Sequence, residues 1–189
     1  MGSSRLICSF IGVVVLLWMS PGFSAADHVN VALRGTAIQS TTYPNGLAEH
    51  AIDGNSDPQW EHNSCSSTAS QAKPWWRLEL PGVYRVSAIQ VTNRNAARER
   101  LNSLEILIGN SLANNGNDNP RCAIINDNPG CLCWGMEGRF INFYRSSDEA
   151  SYLQLCEVKV YEALQENLEF HFIEISGPFR HIDQGFHDP

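Results

Sequence analysis

Lysine is almost missing from this 189-residue chain: Lys73 and Lys159 are the only two, against eleven arginines. With 20 acidic and 13 basic residues the formal charge is −7. That balance argues against non-specific nucleic-acid binding, whose affinity comes from neutralised phosphates. Catalytic signatures are missing too. The chain has no Gly-x-Ser-x-Gly elbow, no His-Glu-x-x-His, no P-loop and no Gly-x-Gly-x-x-Gly. His50 and His62 stand near Asp53, Asp57 and Glu61, but histidines beside acids without a nucleophile are more often surface or structural groups. The chain therefore reads as a binding protein and not an enzyme. Charged residues are 17% and hydrophobic ones 43%, which suits one packed domain and argues against wholesale disorder.

Long apolar runs are absent after the N-terminus. Leu6 to Met19 is apolar apart from Cys8, Ser9 and Gly12, follows Arg5, and is short for a span of about 20 residues. Ser24 and Ala26 frame a cleavage site, so residues 1–26 read as a signal peptide, Asp27 as the mature terminus and the protein as secreted, extracellular and without a membrane span. Secretion changes the reading of the cysteines. Cys8 leaves with the signal, and Cys65, Cys122, Cys131, Cys133 and Cys156 enter an oxidising compartment where pairing is expected. One is left over, free or joined to another chain, which keeps a homo-oligomer open. A zinc site would need a second Cys-x-x-Cys pair or a histidine at finger spacing, and neither is present.

What remains is strand and turn material. Val86–Asn93, Leu104–Gly109, Arg139–Arg145 and Tyr152–Tyr161 alternate with period two and are rich in aromatic and β-branched residues. Asp53-Gly-Asn55, Asn114–Pro120 and Asn126–Gly130 supply turn chemistry between them. Only Leu47–Ile52 and Asp148–Ser151 suit a turn of helix. This spacing predicts an all-β fold, an antiparallel sandwich or jelly roll over residues 27–164. Residues 165–189 hold His171, His181 and His187 and read as a poorly ordered extension, although Leu168–Ile175 alternates well enough to add a strand.

Two groups of residues carry candidate binding chemistry. Asp53 sits beside Gly54 in a turn that can aim carbonyls at a hard cation, while Ser64 and Glu157 neighbour Cys65 and Cys156. If those cysteines pair, six or seven oxygens converge, which suits Ca²⁺ although the EF-hand series is absent. Arg94, Arg98 and Arg100 fall within seven residues after a strand, where forked hydrogen bonds to a polar ligand are available. The plainer readings are an ordinary Asp-Gly turn and a solvated charge run partly neutralised by Glu99.

Asn30–Ser40, Ala51–Asn55, Asn63-Ser-Cys65, Pro74–Leu80, Ile108–Leu112 and Leu155–Val160, in this order, resemble the F-type lectins, the fucolectin family. The matches run from Asn30 to Tyr161. The resemblance implies a secreted, discoidin-like β-sandwich with structural calcium that binds fucosylated glycans or glycoproteins, often in innate recognition. It implies a calcium site of His50, Asn55 and Ser64 main-chain oxygens, the Asp53 and Glu157 carboxylates, the Ser64 hydroxyl and the Cys156 carbonyl. It also implies a Cys65–Cys156 disulfide, with a second bridge from Cys122 to Cys133 or to Cys131.

The sugar motif departs from that family. Its pattern of His, Arg-x-Asp and a later Arg or Lys falls here on Ser67, Arg94, Ala96 and Arg100, and its vicinal cysteines are missing, with Ala97 in that place. Ser67 is shorter than His, and Ala96 cannot orient Arg94. Each lost polar contact weakens binding by about 1–3 kcal/mol. His62 is a candidate substitute imidazole, and Trp60, Trp75 and Trp134 are candidate stacking faces. The expectation is a calcium-dependent lectin for terminal L-fucose or a related sugar, with Arg94, Arg100 and Ser67 at the sugar. The alternative is a lectin-like scaffold that has lost fucose and serves as a protein-interaction domain.

Overall fold

A computed structural model describes residues 29–126 and 130–163. The signal peptide and the extension lie outside the described residues, as do the side chains of Cys131 and Trp134. Eight strands follow one another: β1 Thr36–Gln39, β2 Ser66–Ser67, β3 Trp75–Thr92, β4 Leu104–Gly109, β5 Arg121–Ile125, β6 Gly130–Tyr144, β7 Gln154–Leu155 and β8 Glu157–Glu162. All pairings are antiparallel. Six strands form one sheet in the order β1-β3-β6-β4-β5, with β8 also on β3, and β2 pairs with β7 in a second, small sheet.

β3 and β6 run through the whole fold. The first half of β3 lies between β1 and β6, and its second half between β8 and β6. Pairing lapses between Glu79 and Tyr84, where Pro81 removes an N–H from the ladder, and resumes beyond. Side chains from both halves, Trp76 and Leu78 as well as Ile89 and Val91, enter one core with Ile106, Ile141, Phe143, Val158 and Val160. The sheet thus curls over itself into the facing layers of an antiparallel sandwich. β4 shows why the alternation works: Leu104, Ile106 and Ile108 face the core while Glu105 points away to meet Arg121. Trp76 closes one end of the core, its indole N–H donating to the Ala48 carbonyl.

Three details differ from the sequence expectation. The segment from Tyr152 to Tyr161 is two strands, broken at Cys156, because β7 joins β2 while β8 turns onto β3. Asp148–Ser151 is not helical, whereas short helical turns form at Val31–Arg34, Ala48–Ala51, Trp60–His62 and Arg98–Leu101, and Ala113–Gly116 is a kinked turn with Asn114 and Asn115 left-handed. The strands expected from Val86 and from Arg139 begin earlier, at Trp75 and at Gly130. Two disulfides pin the result: Cys65–Cys156 ties the start of β2 to the β7–β8 corner, and Cys122–Cys133 ties β5 to β6.

Candidate functional site

The Cys156 corner gathers the oxygen donors. Glu157 opens β8 and is fully buried, yet neither carboxylate oxygen has a hydrogen-bond partner. Burial, with the Asp53 carboxylate adding to it, pushes its pKa up to about 7; the Gly54 backbone N–H and the Lys159 charge offset part of this. Asp53 sits in a tight turn: Gly54 has φ +87°, a left-handed conformation that favours glycine, and the Asn55 N–H donates to Asp53 Oδ1 at 2.8 Å. Ser64 is buried, its hydroxyl donating to the Gln59 carbonyl at 2.9 Å. His50 lies on the turn Ala48–Ala51 with its ring Nδ1 3.4 Å from the Cys65 carbonyl.

Among the described residues no group of three or more His, Cys, Asp and Glu side chains is placed to hold a metal. Any ion here would depend on two carboxylates and on main-chain and hydroxyl oxygens, a donor set suited to a hard cation and ill suited to zinc. The orphaned, desolvated Glu157 fits such an ion: a buried carboxylate without a partner is costly unless something positive completes it.

A second cluster lies on the neighbouring loops, and the sequence reading found only part of it. Arg94 leaves β3 with its guanidinium 5.5 Å from the Trp60 ring and 3.6 Å from Glu61. Trp60 meets Tyr43 edge-on at 5.9 Å, and Tyr43 meets Tyr152 edge-on at 5.9 Å. Arg100 then stacks over Tyr152 at 4.6 Å and donates to Gln154 Oε1 at 3.2 Å. The two arginines therefore bracket one continuous aromatic strip, Trp60–Tyr43–Tyr152. Tyr43 and Tyr152 are far apart in sequence, and neither stands in a motif; only the fold joins them.

Ser67 does not open onto this strip. It is fully buried, donates to the Thr68 carbonyl at 3.0 Å and accepts from Gln154 Nε2 at 3.4 Å. His62 is exposed and pairs with Asp57 at 2.6 Å, which raises its pKa and lowers that of Asp57. Trp75 packs against Arg77 and takes no part in the strip.

Fucolectin-5 of Anguilla japonica is 41% identical over 154 residues, covering 73% of this chain and 78% of the relative, and Fucolectin-1 of the same species is 41% identical over 155 residues, with 73% and 83% covered. This chain belongs to the fucolectin, or F-type lectin, family. An F5/F8 type C family model, described as a NedA-like, galactose-binding domain, also matches residues 50–143. The crystal structure of an F-lectin (fucolectin) from striped bass serum, Morone saxatilis, matches at a TM-score of 0.68 and 45% identity, covering 72% of this chain; the chain spans 48% of that lectin. A Streptococcus pneumoniae fucose-binding module shares the fold at a TM-score of 0.61 and 24% identity. Membership makes this fucolectin a lectin-type domain and not an enzyme, with the F-type sandwich that its strands form. No helix among the described residues is long and apolar enough to cross a membrane.

Proposed function

We propose that this fucolectin is a secreted, calcium-stabilised lectin that binds terminal L-fucose or a related sugar through Arg94 and Arg100. The observation that carries this reading is the convergence of both arginines on one aromatic strip. Guanidinium forks suit sugar hydroxyl and ring oxygens, and aromatic faces suit the apolar face and methyl group of a deoxy sugar. Calcium is the cation best suited to Glu157, Asp53 and the surrounding oxygens, and it would act as scaffold, not as a ligand to the sugar. The serum origin of the bass protein is in keeping with secretion, and the relatives named as fucolectins are in keeping with a fucosylated ligand; a role in innate recognition is part of the same proposal.

The test is a calorimetric titration of L-fucose into the mature protein at millimolar calcium. Arg94→Ala and Arg100→Ala are each expected to weaken binding about tenfold or more, as loss of a charged hydrogen bond would; Arg94→Ala should leave the melting temperature unshifted, while Arg100→Ala should lower it slightly because the buried Gln154 Oε1 loses its donor. Binding unchanged in both variants would refute the assignment. One observation favours the alternative of a protein-interaction scaffold: Ser67, at the place of the family's imidazole, is enclosed and offers the sugar no third polar contact. That alternative predicts no heat with any glycan from protein that calcium stabilises.

A further inference from the structure

We infer that Gln154 is the positioning residue of the sugar site, holding the Arg100 guanidinium in the orientation a ligand needs. The inference rests on the reading of Arg100 as a sugar residue. Gln154 opens the two-residue strand β7, and its cross-strand partner is Ser67. The two side chains are buried, so the amide is committed to the interior and not to solvent. One end meets Ser67: Nε2 donates to Oγ at 3.4 Å, and that hydroxyl passes its own proton to the Thr68 carbonyl. The other end meets Arg100, whose Nη1 donates to Oε1 at 3.2 Å.

Arg100 is held from two further directions. Tyr152, two residues before Gln154, lies under the guanidinium face, and Arg145 Nη2 donates to the Arg100 main-chain carbonyl at 2.6 Å. One guanidinium edge is thus spent on Gln154 and the stacked face on Tyr152, and among the described residues the remaining N–H donors of the fork are left for a ligand.

The chemistry of the partner matters as much as its position. Among the described residues no carboxylate forms an ion pair with Arg100. A neutral amide fixes the fork without neutralising it, so the full charge stays available to sugar oxygens, whereas an acid in the same place would orient the group and spend part of its charge. Ala96 cannot supply such an acid. A small residue at position 67 and a long amide at 154 are complementary: the short serine leaves the amide a hydrogen-bonding place against β2.

Arginine side-chain NMR of the sugar-free protein reads the positioning directly, and titration with methyl α-L-fucoside reads its consequence. In the wild type the Arg100 Nη signals should show slowed rotation. Gln154→Met, close in volume but without the amide, should release that rotation and weaken fucoside binding about tenfold. Gln154→Glu, which keeps an acceptor, should keep the rotation slow and the affinity within about threefold. Should the Met variant not fold, Gln154→Thr, too short to reach Arg100, carries the same expectation. Unchanged Arg100 signals, or unchanged fucoside affinity, in the variant without the amide would overturn the inference. A wild type that binds no fucoside would defeat the functional reading instead, while the Arg100 signals would still decide whether Gln154 positions it.

Discussion

Replacing both cysteines of the Cys65–Cys156 bridge by alanine is expected to cost about 4–5 kcal/mol of folding free energy, more than any other covalent change in the domain. The bridge spans 91 positions of chain, so reducing it frees most of the domain in the unfolded ensemble. The Cys122–Cys133 bridge spans 11 positions and by the same entropy argument contributes about 2–3 kcal/mol. Urea unfolding of the two double-alanine variants should therefore rank them in that order, with the larger fall in midpoint for Cys65→Ala/Cys156→Ala. Equal midpoints would show that local packing at the corner, and not chain entropy, sets the effect. Because the bridge also anchors Glu157, its loss should weaken the proposed calcium binding as well.

Glu157→Gln is expected to reverse its effect on stability when calcium is added. In the metal-free protein above pH 7 the wild type must bury an ionised carboxylate that has no hydrogen-bond partner. Its pKa is raised on folding, so ionisation works against the folded state, and the neutral amide should raise the melting temperature at pH 8. With millimolar calcium the proposed ion would complete Glu157 and Asp53, and the same substitution should then lower the melting temperature by several degrees. Thermal unfolding at pH 8, with calcium and with chelator, gives four values. A crossover supports a cation site built on Glu157; parallel shifts with no crossover rule it out.

The sequence carried the fold well where one face is buried and the other wet. β4 and β8 read from partial alternation, because Leu104 and Ile106 face the core on either side of Glu105, and Val158 and Val160 on either side of Lys159. It carried less where the fold departs from alternation. β3 passes Pro81-Gly82 without ending, since its partners change there and the strand needs no unbroken ladder. The break at Cys156 was hidden because Leu153, Leu155, Val158 and Val160 are all buried, so no polar turn residue marks the change of sheet. Spacing alone pointed to Arg94, Arg100 and the Glu157 corner, and the resemblance gave them expected roles. It could not supply Tyr43, Tyr152 or Gln154. Tyr43 precedes an ordinary Pro-Asn-Gly turn, and Gln154 occupies a strand position where a polar residue normally means solvent. Both become site residues only through β2, which brings Gly46, Ser67 and β7 together.

The bend at Cys156 places two kinds of binding chemistry within four residues of one another. On one side Gln154 reaches the arginine on the ligand strip; on the other Glu157 turns into the cation corner, and the disulfide fixes the hinge between them. A segment this short cannot shift at one end and stay still at the other. The proposed sugar and calcium sites should therefore be linked reciprocally, each ligand changing the other's affinity by the same factor, so that ligand preference would be open to change by residues that no sugar touches.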